Sequence, residues 1–243
     1  MILIYNNFLL FVIRLLNKFR MGKKFRSKTL NCRSMLENNY KQESNFNFIQ
    51  VGANDGVSFD FLYEFLIKRN SRGIVIEPIK EYYKDLCKNY KNYPQILKVN
   101  KAVHPNKKIL ELYKIDNKKA AKYPDWVKGI ASLNKNHHKK TKINSDDIIT
   151  ERVEADTLMG IINKNYNYNY IDFIQIDTEG FDYEVVKMID FNKMKPYIIK
   201  YESVNLNKKD KKNLSLILKK QGYFLFKEKG DTIGINLKKI KLY

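Results

Sequence analysis

Phe46 to Gly56 reads FNFIQVGANDG, and this stretch decides the fold. Its first half, Phe46 to Val51, is a short apolar run of the kind that forms a buried strand. Its second half, Gly52-Ala53-Asn54-Asp55-Gly56, can bend sharply, because glycine, and to a lesser degree asparagine, tolerates left-handed backbone. Beyond the bend, Phe59, Leu62, Phe65 and Leu66 recur at helical spacing through Lys68, and Arg72-Gly73 is read as the stop. Strand, bend and helix together open an α/β unit.

The pattern repeats outward from this unit. Gly73 to Glu77 (GIVIE) is a second strand ended by Pro78, and Tyr82, Tyr83, Leu86 and Tyr90 mark a second helix. Ile96 to Val99 is a third strand, entering Asn100-Lys101-Ala102-Val103. From Lys107 to Asp156 the alternation lapses: Leu110 to Ile115 is strand-like, and the rest reads as an irregular, substrate-facing loop. Tyr170 to Ile176 resumes as a strand, followed by Asp177-Thr178-Glu179-Gly180 and a helix bearing Val185, Val186 and Met188. Tyr197 to Tyr201 ends at Glu202, and Leu214, Ile217 and Leu218 mark a helix stopped at Gly222. Tyr223 to Phe226 and Thr232 to Leu237, joined at Lys229-Gly230-Asp231, read as a closing hairpin. Five parallel strands plus a terminal hairpin is the expected outline, with helices on both faces.

In such a sheet, ligands lie outside the carboxyl ends of the strands. The bend at Gly52 to Gly56 lets a cofactor lie against backbone, and Glu77, about 20 residues further on, stands where an acid takes ribose hydroxyls. That pair reads as a nucleoside grip, which serves NAD as well as other adenosine cofactors; Asn54 in place of a second glycine, and the terminal hairpin, weigh against a dehydrogenase. Asp177, Glu179 and Glu202 follow the fourth and fifth strands, beside the first, and should converge. Three clustered carboxylates need compensation, from a cationic cofactor, a divalent cation or Lys101. Asp177 is the leading general base, Glu202 the second and His104 a third, because its ordinary pKa suits proton transfer. Asp177 and Glu179 equally suit the cap and first turn of the following helix. Trp126, Ser132, His137 and His138 in the irregular stretch are candidate acceptor contacts, with Glu179 beside them.

The ordered set FIQVGANDG (48–56), GIVIEP (73–78), NKAV (100–103), VEADTL (153–158), IDFIQIDTEGFDYEVV (171–186) and YIIKYE (197–202) resembles the FkbM family of S-adenosylmethionine-dependent methyltransferases, from about Asn47 to Leu237. The resemblance implies a Rossmann-like class I fold with a mostly parallel seven-stranded sheet. It also implies O-methylation, often of a sugar hydroxyl on a glycan or related metabolite. The cofactor-binding residues it implies are Gly52, Ala53, Asn54, Asp55, Gly56, Glu77, Pro78, Lys101 and Ala102. Gln50 and Gln175 depart from the family pattern, which commonly has an acid at the first and a lysine at the second. Two alternatives from other classes stay open: a nucleic-acid methyltransferase and a non-catalytic cofactor-binding module.

The 243 residues carry a formal charge of +20. Such charge ordinarily suggests an anionic partner, but the abundant lysines suit a solvated surface and no base-methylation motif is present, so nucleic acid is not favoured. Cys32 and Cys87 lack metal-ligand spacing, as do His104, His137 and His138, so no pre-formed zinc or histidine site is expected. Residues 1–45 read as a basic helical leader ahead of the methyltransferase domain that the resemblance implies at 46–243. Within it, Met1 to Phe19 is interrupted by Asn6, Asn7 and Arg14, too short a run to span a bilayer. It does not read as a signal peptide either, since positive charge follows the apolar run. Arg14, Lys18, Arg20, Lys23, Lys24, Arg26 and Lys28 leave two readings: peripheral contact of residues 1–28 with the inner face of a membrane, or a helix packed on the domain or a second protomer. The expected location is cytoplasmic.

Overall fold

Alternation of apolar residues along the central strands dictates a sheet covered on both faces. The computed structural model describes residues 1–19, 22–58, 61–165, 167 and 170–243; Arg20 and Phe59 lie outside the described residues. The chain opens with three helices, α1 (Ile2–Lys18), α2 (Gly22–Thr29) and α3 (Cys32–Asn39). The units β1 (Asn45–Val51), α4 (Leu62–Ile67), β2 (Asn70–Ile76), α5 (Lys80–Asn89) and β3 (Ile96–Val99) follow. Next come β4 (Ala102–Val103), β5 (Ile109–Ile115), β6 (Ala131–Ser132), α6 (His138–Thr141), β7 (Ile148–Asp156) and α7 (Leu158–Asn165). The chain closes with β8 (Phe173–Ile176), α8 (Asp182–Lys187), β9 (Ile198–Glu202), α9 (Lys208–Lys220), β10 (Phe224–Glu228) and β11 (Asp231–Ile235).

The main sheet has seven strands in the order β10-β11-β9-β8-β1-β2-β3. From β9 to β3 neighbours run parallel, and β11 is antiparallel to both β9 and β10. Five parallel strands and a closing hairpin are therefore what forms. Phe46, Phe48, Val75 and Phe173 point to one face, into a core shared with α1, α3, α4 and α5. Ile49, Val51, Ile74, Ile76, Ile174 and Ile176 point to the other, against α7, α8 and α9. This period-2 division is why strand order fixes which side chains meet.

Two expectations need correction. Arg72 and Gly73 do not end a helix: both lie inside β2, and a Cβ at Gly73 would meet the Phe48 carbonyl at 2.2 Å. The stretch from Lys107 to Asp156 is not chiefly irregular. It builds a second sheet, β4-β7-β5-β6, in which β5 and β7 pair antiparallel from Ile109↔Glu154 to Ile115↔Ile148. Its inward row includes Lys114, buried on β5 with its ammonium 3.6 Å from both Glu81 and Glu151; a lysine in a core position hides the alternation from a hydropathy reading. This sheet overhangs the carboxyl ends of the main strands and supplies one wall of the cavity described next.

The leader packs on the domain. Asn6, Leu10 and Ile13 of α1 are buried, and the Asn6 amide donates to the carbonyls of Leu237 (2.9 Å) and Ile240 (2.7 Å) while its oxygen accepts from the Leu242 N–H (3.0 Å). Among the described residues, no helix is long and apolar enough to cross a membrane.

Candidate active site

The carboxyl ends of β1, β2, β8 and β9 open into a cavity of about 510 Å³, within the ~300–1,000 Å³ range of small-molecule sites. One end of it is made by the bend after β1. Gly52 adopts φ +77°, and a Cβ there would lie 1.8 Å from the Asp177 carbonyl oxygen; only glycine lets the turns after β1 and β8 approach this closely. Asn54 follows with φ 50°, and its backbone N–H donates to Glu77 Oε2 at 2.9 Å. The other carboxylate oxygen accepts the Ile79 N–H at 2.8 Å. The bend and the acid are thus bonded to each other and share the cavity wall. Burial pushes the Glu77 carboxyl up to about 7, against the lowering effect of those two N–H donors.

The far end is acidic. Asp177, Glu179 and Glu202 each present an oxygen within 4.8 Å of the others. Asp177 opens onto the cavity, but protein surrounds it, and that desolvation together with Glu202 and Glu179 holds its carboxyl well above the usual range. Glu202 is pushed up to about 7 by burial first and Glu179 second. The Asn205 amide donates to Glu179 Oε2 and Glu202 Oε2, both at 2.9 Å, and His137 Nε2 lies 3.1 Å from Glu179 Oε2. Beneath them sits Asp182, fully buried, accepting from the Thr178 hydroxyl (2.9 Å), the Thr178 N–H (3.3 Å) and the Glu202 N–H (3.0 Å). Burial raises it too, to about 7. Asp182 therefore ties the turn after β8 to the end of β9, fixing where Asp177 and Glu202 sit.

Most residues named from sequence line this cavity: Gly52, Ala53, Asn54, Glu77, Pro78, Lys101, Ala102, Trp126, His137, Asp177, Glu179 and Glu202. Five do not. His138 turns its Nδ1 to the Lys135 carbonyl, 2.8 Å away. Asp55 turns away to accept from the N–H groups of Val57 and Ser58. Gly56 faces the packed rings and side chains of Tyr90 and Leu86. Ser132 is buried, donating its hydroxyl to the Glu179 carbonyl at 3.0 Å. His104 spends Nδ1 on the N–H groups of Asn106 and Lys107, stacks on Phe181, and has its pKa lowered by burial and Lys107.

The cation facing the acids is also not the expected one. Lys101 pairs with Glu154 at 3.5 Å, whereas Lys200, on β9, is the positive charge that acts on Asp177; it also pairs with Asp231 at 3.0 Å. Asp177 does not cap a helix, since the N-cap of α8 is Phe181, with no side-chain cap. Asp182, Asn205 and Lys200 escaped the sequence reading. Asp182 carried a signal in its place within DTEGFD, where the short run of acids looks like an ordinary helix start.

The residues fit an adenosine cofactor bearing positive charge. A Cβ-free bend beside a buried carboxylate provides the nucleoside end, and a carboxylate cluster with little cationic compensation provides the charged end.

Comparison with known proteins agrees. The model of the methyltransferase FkbM domain matches residues 50–225. No curated protein matches the chain. Among solved structures, the methyltransferase FkbM from Methylobacillus flagellatus KT is 14% identical with a TM-score of 0.49, covering 86% of this chain and 47% of that one; the chain spans about half of it. A SAM-dependent methyltransferase from Aquifex aeolicus is 11% identical with a TM-score of 0.38, covering 86% and 90%. A precorrin-6y C5,15-methyltransferase from Geobacter metallireducens GS-15 is 12% identical with a TM-score of 0.39, covering 80% and 71%. With a family match extending over most of its length, on the strand order and cavity described above, the chain belongs to the FkbM methyltransferases and is an S-adenosylmethionine-dependent enzyme.

Proposed function

We propose that this methyltransferase acts on oxygen, and that its acceptor is a hydroxyl of a sugar, glycan or related metabolite. The observation that carries the reading is the acidic end of the cavity, where Asp177 faces open space with a raised pKa beside Glu179 and Glu202, which Asn205 bonds together. S-adenosylmethionine, when bound, supplies an electrophilic methyl group on a sulfonium sulfur. Gly52, Ala53, Asn54 and Glu77 would hold the nucleoside, with Pro78, Lys101 and Ala102 beside it. The carboxylates of Asp177, Glu179 and Glu202 offset the sulfonium charge; a divalent cation would serve the same electrostatic need.

For the acceptor, Asp177 would take the hydroxyl proton as the O–CH3 bond forms and the S–CH3 bond breaks, leaving the neutral thioether S-adenosylhomocysteine, and burial makes it a stronger base than an exposed carboxylate. Glu202 is the second candidate for that proton. Glu179, held by His137 and Asn205, orients neighbouring hydroxyls, and Trp126, half exposed on the wall, offers an apolar face to a sugar ring. In-line geometry, rather than any strong acid or base, provides most of the acceleration for such a transfer.

The test is incubation with methyl-labelled S-adenosylmethionine and a panel of mono- and oligosaccharides, with products mapped by mass spectrometry. Label on a sugar oxygen, lost in Asp177→Asn while S-adenosylhomocysteine still binds, supports the reading. Label confined to nitrogen or to nucleic acid overturns it. The charge of +20 is the one observation that favours a nucleic-acid acceptor, and steeply salt-dependent RNA or DNA binding would distinguish it.

A further inference from the structure

Helix α1 is apolar on two opposite sides, and among the described residues only one of them is covered. Asn6, Leu10 and Ile13 face the domain. On the other side, Ile4, Phe8, Phe11, Leu15 and Phe19 follow at intervals of four, three, four and four residues, a single stripe at helical spacing. All five are exposed, from 44% at Leu15 to 75% at Ile4. A helix apolar on both sides belongs between two apolar layers, and the protein supplies one.

The charge beside the stripe says what the second layer is. Arg14 and Lys18 are exposed on α1, and Lys18 stands seven residues after Phe11, hence on the same row. The first 36 residues hold eight lysines and arginines, at positions 14, 18, 20, 23, 24, 26, 28 and 33, with no aspartate or glutamate before Glu37. Large apolar side chains next to cations that reach upward match a helix lying in the headgroup region of a bilayer. A second copy fits poorly, because a two-fold contact through the stripe would set this all-positive segment against itself.

We propose that α1 docks the enzyme on an anionic lipid surface, its outer stripe entering the bilayer and its inner face holding the domain. The Asn6 anchor grips the chain beyond β11, beside Ile198, where β9 begins. That is the end of the sheet away from the cavity, so the docked enzyme keeps its active site uncovered.

Flotation of the full chain with phosphatidylcholine vesicles, with and without phosphatidylglycerol, tests this. Binding is expected to the anionic vesicles and to weaken with salt. Phe8→Asp with Phe11→Asp should lower it by more than about tenfold, and Arg14→Gln with Lys18→Gln by about fivefold per charge. Both variants should retain unchanged S-adenosylhomocysteine affinity, which shows that they fold. No binding by the wild type, equal binding to neutral vesicles, or full binding by the Phe8→Asp, Phe11→Asp variant overturns the proposal. So does a vesicle-independent dimer in sedimentation that the same two substitutions abolish.

Discussion

Replacing Gly52 with alanine probes the contact on which the cavity is built. Two costs add. The residue sits at φ +77°, and an L-side chain in left-handed backbone costs about 1–2 kcal/mol. In addition, the new Cβ would lie 1.8 Å from the Asp177 carbonyl oxygen, a separation that must open to at least 3.0 Å. The carbonyl belongs to backbone that cannot rotate away, and the Asp177 N–H bonds to the Val51 carbonyl at 2.9 Å, so opening the gap strains the β1–β8 ladder at its end. Loss of one buried hydrogen bond adds about 1–3 kcal/mol, giving about 2–5 kcal/mol in all. Gly222→Ala is the control: φ there is +80° and nothing lies within 4 Å of the added Cβ, so only the backbone cost of about 1–2 kcal/mol applies. Urea unfolding followed by far-UV circular dichroism reads both, since the single tryptophan, Trp126, is half exposed and reports poorly on the core. At about 2–4 °C per kcal/mol for a chain of this size, Gly52→Ala should melt roughly 10 °C below wild type. If the two variants were equally stable, the close approach of the turns after β1 and β8 would be refuted.

Other consequences can be measured on the same protein. Asp182→Ala leaves the Thr178 and Glu202 N–H groups without their acceptor and should cost about 2–3 kcal/mol, with methyl transfer lost more than cofactor binding; unchanged stability would contradict the role given to Asp182. Glu77, Glu202 and Asp182 hold protons more tightly folded (about 7) than unfolded (4.5 or 3.8), so stability without cofactor should fall as pH rises from about 4 through 7. Asp156, lowered to about 2 by Lys164 and the Thr157 N–H, acts oppositely, contributing stability above 3.8 that is lost as pH falls through 2. Thermal melts across pH check both, and stability rising between pH 5 and 7 would contradict the first. The same ionisations should make S-adenosylmethionine bind increasingly better than S-adenosylhomocysteine as pH rises through 7, an effect that Glu202→Gln reduces; a pH-independent ratio in calorimetry would separate the acids from the sulfonium.

The sequence made the parallel sheet legible because its strands announce themselves. FNFIQV, GIVIE and YIDFIQI are dense in β-branched and aromatic residues and each ends in a bend or an acid. The second sheet was hidden because β5 buries Lys114 among Glu81 and Glu151, and β7 sets Val153 and Ala155 singly among Glu151, Arg152, Glu154 and Asp156. At the site, residues that act through backbone position, such as Gly52 and Asn54, could be read from the bend itself. Residues that act through a partner distant in sequence could not. Asn205 matters only because folding puts it between Glu179 and Glu202, and Lys200 only because β9 lies beside β8. His104 and Ser132 have suitable chemistry but spend it on backbone, His104 on its own following turn and Ser132 on the distant Glu179 carbonyl, which composition cannot reveal.

The account rests most on the nucleoside lying between the bend after β1 and the Glu77 carboxylate. A crystal structure with S-adenosylhomocysteine tests that directly. Ribose hydroxyls within hydrogen-bonding distance of Glu77, with the sulfur directed toward Asp177, is the predicted result; ligand bound elsewhere, or a ribose that leaves Glu77 untouched, would contradict it.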